Sequence, residues 1–141
     1  MAQTPFHYLD FRTFCYATED ASRVEQALRT FIPDDISIDR STTEGHHGDR
    51  ILILVVRVER AAEIRDVLNR ILETATKAHL EATVADRMDD ECAFFVRFDK
   101  QEAYQGNVAL GKGIELRGKV EAYPASRDAA IENLAAYLAA Q

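Results

Sequence analysis

His46 and His47, flanked by Glu44 and Asp49 in the run EGHHGD, come closest to a metal-ligand set in this chain. Adjacent side chains on extended backbone point apart, and neither a helical two-histidine spacing nor a cysteine pair supports them, so no metal site is expected. A loop histidine that is solvated, or that touches a ligand, is the better reading. Nucleophile chemistry finds no footing either. Neither GxSxG nor SxxK occurs, and GKG at Gly111 to Gly113 lacks the spacing and the trailing Ser or Thr of a phosphate-binding loop. Asp99, Lys100 and Tyr104 could move protons, but any polar loop offers as much. The expectation is a protein that is not an enzyme and carries no cofactor.

Arginines interleaved with rings give the sharper pattern. With the two-residue period of a strand, HYLDFRTFCYATED at residues 7–20 puts Tyr8, Asp10, Arg12, Phe14 and Tyr16 on one face. Leu9, Phe11, Thr13, Cys15 and Ala17 form the opposite, core-facing set. Further on, Arg97 again shares a strand face with an aromatic, Phe95. Rings stack unpaired bases and guanidinium groups hold phosphates, which makes an RNA-binding surface one reading. A non-enzymatic protein–protein interaction module that buries the same aromatic face is the other.

The elements needed to position these groups can be read along the chain. Strands are expected near residues 7–18, 36–43, 51–59, 92–99 and 114–123, with Phe11, Ile53, Val55 and Val120 in the core. ILILVVRVE, residues 51–59, carries no charge before Arg57 and is expected to be a well-covered central strand. Helical stripes follow Asp20 (Val24, Ala27, Leu28, Phe31), span residues 60–74 (Ile64, Val67, Leu68, Ile71, Leu72), continue more sparsely through Leu80, Val84 and Met88, and close the chain after Ser126. DKQEAYQG at residues 99–106 is expected to form one helical turn or a structured loop. These elements predict a single α+β domain over residues 1–141: one mostly antiparallel sheet of about five strands, backed chiefly on one face by four helices.

The 141 residues, 47% of them hydrophobic, suffice for one core without disulfides, so Cys15 and Cys92 are expected to be buried free thiols in a reducing cytoplasm. No apolar run approaches the roughly 20 residues that cross a bilayer. A net charge of −7 argues against indiscriminate nucleic-acid binding. Its distribution is uneven, however. Residues 18–35 hold two basic against five acidic side chains and residues 59–91 five against nine, whereas residues 97–119 hold five basic against three acidic. Acid lies on the expected helices and base on the later strands, so phosphate would be drawn to one side.

HYLDFRTFCYATED at His7, EGHHGDRILIL at Glu44, and above all DKQEAYQG at Asp99 followed by AYPA at Ala122, resemble an archaeal RNA-binding family described as predicted exosome subunits. The similarity runs nearly end to end. It implies a curved sheet like that of the large-subunit ribosomal protein that binds five-S RNA. It also implies RNA as partner, as an accessory factor in RNA processing or degradation or in a ribosome-related role, with exosome or other RNA-processing proteins as further partners; a homodimer that buries the aromatic face belongs to the interaction-module reading. The overall acidity departs from what RNA binders usually show. The residues expected to contact RNA are Arg12, His46, His47, Arg50, Arg97, Lys100, Gln101, Tyr104, Arg117 and Lys119.

Overall fold

In the computed structural model, which describes residues 4–141, one antiparallel sheet carries its helices on a single face. The strands are β1 (Phe6–Cys15), β2 (Asp39–Glu44), β3 (Arg50–Val58), β4 (Ala93–Asp99) and β5 (Gly113–Val120), ordered β2-β3-β1-β5-β4. The helices are α1 (Ala21–Arg29), α2 (Ala61–Leu72), α3 (Thr76–Ala82), α4 (Lys100–Tyr104) and α5 (Arg127–Ala139). The expected α+β architecture is therefore what the chain forms, with α4 as a helix beyond the four expected.

β1 is central because it has apolar side chains for one face and partners for both edges. Leu9, Phe11 and Cys15 are buried beneath the helices, Leu54, Val56 and Val58 join them from β3, Phe94, Val96 and Phe98 from β4, and Ile114, Leu116 and Val120 from β5. Phe6 also reaches this core although it is out of phase with Leu9. The register with β5 shifts between Phe6 and Tyr8, and the extra residue turns Phe6 inward. Its ring lies over Gly118, where an added Cβ would stand 2.5 Å from Phe6 Cε1. Phe31, just past α1, stacks its ring between Phe11 (centroids 5.5 Å) and Phe98 (4.7 Å), tying the two halves of the sheet together.

Local signals set the helices. The Asp20 carboxylate accepts the Ser22 N–H at 2.9 Å to cap α1, and Ser126 Oγ accepts the Ala129 N–H at 3.2 Å to cap α5. Each then buries one stripe: Val24, Ala27 and Leu28 in α1, Ala130, Leu134, Tyr137 and Leu138 in α5. Both cysteines are buried and free.

Three expectations need correction. Ile53 and Val55 are not in the core: they pair with Phe14 and Arg12, are only half-buried, and face away from the helices. ILILVVRVE is apolar on both sides, so alternation alone leaves its phase open; Arg57, paired with Asp10, puts the odd positions outward. The strand expected at 36–43 begins only at Asp39, because Ile36 is buried in the turn before it. Finally, the stretch from Ala75 to Met88 is no single helix. α3 ends at Ala82, a 3₁₀ turn covers Ala85–Arg87, and Met88 bridges to Phe94 at the sheet edge.

Candidate nucleic-acid interface

The sheet face opposite the helices is where the interleaved rings and guanidinium groups lie. Register fixes its rows. Arg57, Asp10, Arg117 and Phe95 follow one another across β3, β1, β5 and β4, and the next row reads Asp39, Val55, Arg12, Glu115, Arg97 from β2 to β4. Alternating side chains in neighbouring antiparallel strands must share a face, so these groups are brought together by pairing rather than by loops. All of them but Arg97 line a concavity of about 560 Å³ to which every strand contributes.

Tyr8 organises two of its arginines. The Arg57 guanidinium stacks on the Tyr8 ring at 4.0 Å from its centroid, and Arg117 Nη1 donates to the Tyr8 hydroxyl at 3.0 Å. Arg57 is also bidentate to Asp10, with Nε and Nη2 each 2.8 Å from a carboxylate oxygen, which pushes its pKa up. The Arg117 pKa is raised too, first by the bond to Tyr8 and against the opposing effect of burial. Both stay fully charged on the face. Glu115 serves two guanidinium groups at once, Arg12 at 2.6 Å and Arg97 at 3.8 Å, while Asp39 and Glu59 bring further carboxylates to the same concavity. Lys119 Nζ donates to a neutral acceptor, the Glu91 carbonyl, and keeps its charge uncompensated at that contact. Arg12 lies 5.6 Å from the Phe14 ring centroid and Arg117 5.9 Å from that of Phe95. Phe95 is 41% exposed, unusual for so large an apolar side chain.

Arg12, Arg97, Arg117 and Lys119 thus converge as a group. His46 and His47 lie apart, in the β2–β3 turn with their rings 5.1 Å apart, and Arg50 follows them at the exposed start of β3. The two histidines line a smaller concavity of about 230 Å³ together with Tyr16, at the far end of β1 from Tyr8. Among the described residues no cluster of three or more His, Cys, Asp or Glu side chains could hold a metal ion.

Lys100 and Tyr104 have a different task. Asp99 caps α4, its Oδ1 accepting the Glu102 N–H at 2.9 Å, and this directs Lys100 inward to only 7% exposure. Lys100 Nζ donates to the Phe14 carbonyl (2.5 Å) and to Glu19 Oε1 (2.8 Å), while the Tyr104 hydroxyl donates to Glu19 Oε2 (2.7 Å). Burial alone would raise the Glu19 pKa, but the bonds from Lys100, the Tyr16 N–H and Tyr104 outweigh it and hold the carboxyl below its usual range. Tyr104 is pushed up, by burial first and then by its bond to Glu19. This network clamps α4 to the end of β1. Gln101 stays exposed on the outer side of α4.

Arg57, Tyr8 and Phe95 are absent from the ten residues expected to contact RNA. The signal for Arg57 was its odd-numbered phase within ILILVVRVE, in step with an acid on β1.

A family described as RNA binding matches residues 8–120, from β1 through the end of β5 and so across the whole open face. The chain belongs to this RNA-binding family. It is 32% identical to an RNA-binding protein of Pyrococcus abyssi over 94% of this chain and 93% of that one. Among solved structures it is similar to a DUF54 protein from Methanothermobacter thermautotrophicus, 36% identical, with 94% of this chain and 98% of that one covered and a TM-score of 0.79. A UPF0201 protein from Methanococcus jannaschii shares the fold at 15% identity, with 91% and 92% covered and a TM-score of 0.62.

Proposed function

We propose that this member of the RNA-binding family holds RNA on the open sheet face, without catalysis, through Arg12, Arg57, Arg97, Arg117 and Lys119 and the rings of Tyr8, Phe14 and Phe95. The observation that carries the reading is the set of ring contacts: across four paired strands Arg57 stacks on Tyr8, Arg12 lies by Phe14 and Arg117 by Phe95, on a face that none of the described helices covers. Such a surface neutralises phosphates while offering π-faces to unpaired bases. The acidic helices lie behind the sheet, which favours one docking side and keeps affinity modest. His46, His47 and Arg50 extend the track past Tyr16, and Gln101 flanks it. Lys100 and Tyr104 support it from beneath.

The resemblance noted from the sequence supports a role for this binding in cytoplasmic RNA processing or degradation beside an exosome. Co-purification of exosome subunits with the tagged chain, before and after RNase treatment, tests that role. Among the described residues no helix is long and apolar enough to cross a membrane. The test of RNA binding is a fluorescence titration with single-stranded and structured RNA at low salt. Binding that weakens in an Arg97→Glu Arg117→Glu variant supports the reading. A folded wild type that binds neither RNA overturns it in favour of a protein partner on the same face.

A further inference from the structure

The outer edge of β4 carries a gap in its hydrogen bonding beside the open face. The Val120 N–H donates to the Cys92 carbonyl at 2.8 Å, which sets the phase of the ladder with β5. Phe94, Val96 and Phe98 therefore bond inward to β5, and the backbone groups of Ala93, Phe95, Arg97 and Asp99 point out of the sheet. Most of these are satisfied. Ala93 exchanges bonds with Asp89, whose N–H meets its carbonyl and whose carboxylate accepts its N–H, both at 2.9 Å. The Gly111 N–H donates to the Arg97 carbonyl at 3.1 Å, and the Asp99 N–H donates to the Ala109 carbonyl at 2.8 Å. Between these flanks, the Phe95 N–H faces the Arg87 carbonyl across the Met88–Phe94 bridge, and the Arg97 N–H meets no acceptor among the described residues. The Phe95 carbonyl is approached by Arg87 Nη1 at 3.5 Å, a weak contact.

This stretch opens into a notch of about 460 Å³ whose walls include Asp86, Met88, Asp89, Phe95, Arg97 and Leu110. A partner β-strand does not fit the gap. The segment at Met88–Asp89 closes it on one side and residues 109–111 on the other, leaving too little edge for a ladder. A single planar group does fit. The Phe95 carbonyl and the Arg97 N–H are an acceptor and a donor side by side, matching the donor–acceptor edge that every unpaired nucleobase presents and that pairing consumes. Phe95 supplies a half-exposed ring and Leu110 and Met88 apolar walls. Asp86 and Asp89 offset Arg87 within the notch, which makes it a poor phosphate site, so the chain of phosphates would follow Arg97 and Arg117 on the open face while the base turns inward.

We infer that the notch at the β4 edge is a base pocket, which takes one unpaired nucleobase of an RNA whose backbone lies on the open face, through the Phe95 carbonyl and Arg97 N–H. The inference rests on the RNA-binding reading and adds selectivity for single strands. The test follows the backbone amides of ¹⁵N-labelled protein during titration with an adenosine hexamer and with the same ribose-phosphate hexamer lacking its bases. The adenosine hexamer is expected to shift the Phe95 and Arg97 amides and to slow hydrogen exchange at Arg97. The abasic hexamer, which lacks every stacking base, should bind at least about 5-fold more weakly and shift amides near Arg12 and Arg57 but not these two. Phe95 and Arg97 amides unmoved by the adenosine hexamer, while others on the open face shift, overturn the pocket and leave the face reading intact. No shift on the open face with either hexamer overturns both.

Discussion

Replacing Lys100 with Met separates the structural role of this side chain from RNA contact. Lys100 is 7% exposed and its ion pair with Glu19 lies at the junction of β1, α1 and α4. Removing one partner of a buried pair leaves the other charge uncompensated, which costs about 3–5 kcal/mol. Glu19 retains 21% side-chain exposure and keeps the bonds from Tyr104 and the Tyr16 N–H, so the lower end applies, about 3 kcal/mol. For a chain of this size that is a fall in Tm of roughly 10 °C. Urea denaturation followed by circular dichroism measures the loss. A Lys100→Met Glu19→Gln double variant should recover part of it, since the orphaned charge is gone. RNA affinity, measured well below either melting point, should stay within about twofold of wild type. A Lys100→Met protein that is less than about 1 kcal/mol destabilised yet loses RNA binding would refute the reasoning and make Lys100 a contact residue.

The same network gives a pH dependence. Because Glu19 is held below its usual value of 4.5, its stabilisation is complete above that pH and is lost as pH falls through the folded-state pKa; wild type should therefore lose its stability advantage over Lys100→Met in acid, as urea midpoints at pH 7 and pH 3 would show. Gly118→Ala places a Cβ 2.5 Å from the Phe6 ring and 3.0 Å from Leu9 Cδ2, and should cost about 1–3 kcal/mol in the same denaturation assay. His46→Ala His47→Ala should leave Tm unchanged, and so should chelation of wild type; a chelator-induced fall in Tm that the double variant lacks would reveal a metal at the β2–β3 turn.

Legibility in the sequence followed the strength of the pattern. Asp20 and Ser126 stand directly before clear apolar stripes, so the caps of α1 and α5 could be read at once. β1 carries different chemistry on its two faces, and its alternation assigned Leu9 and Phe11 to the core. β3 has no such contrast, and Ile53 and Val55 were placed on the wrong side because two apolar faces look alike until a partner strand sets the register. Lys100 looked like a surface cation. Only the fold brings Glu19, more than eighty positions away, beneath it. The β4 notch was beyond reach for a related reason, since it is made of backbone groups that Asp89 and Gly111 leave unpaired.

The central claim, RNA held by cations on the open face, is tested most directly by the salt dependence of single-stranded RNA affinity. With four phosphates engaged and a slope of about 0.7 per contact, log Kd should rise with log salt at about 2.8, a weakening of roughly 50-fold between 50 and 200 mM. An Arg12→Glu Arg97→Glu variant, altered at two side chains more than half exposed, should fold normally, bind more weakly and lose about 1.4 from that slope. Affinity indifferent to salt, or a folded double variant that keeps the wild-type slope, would contradict the account.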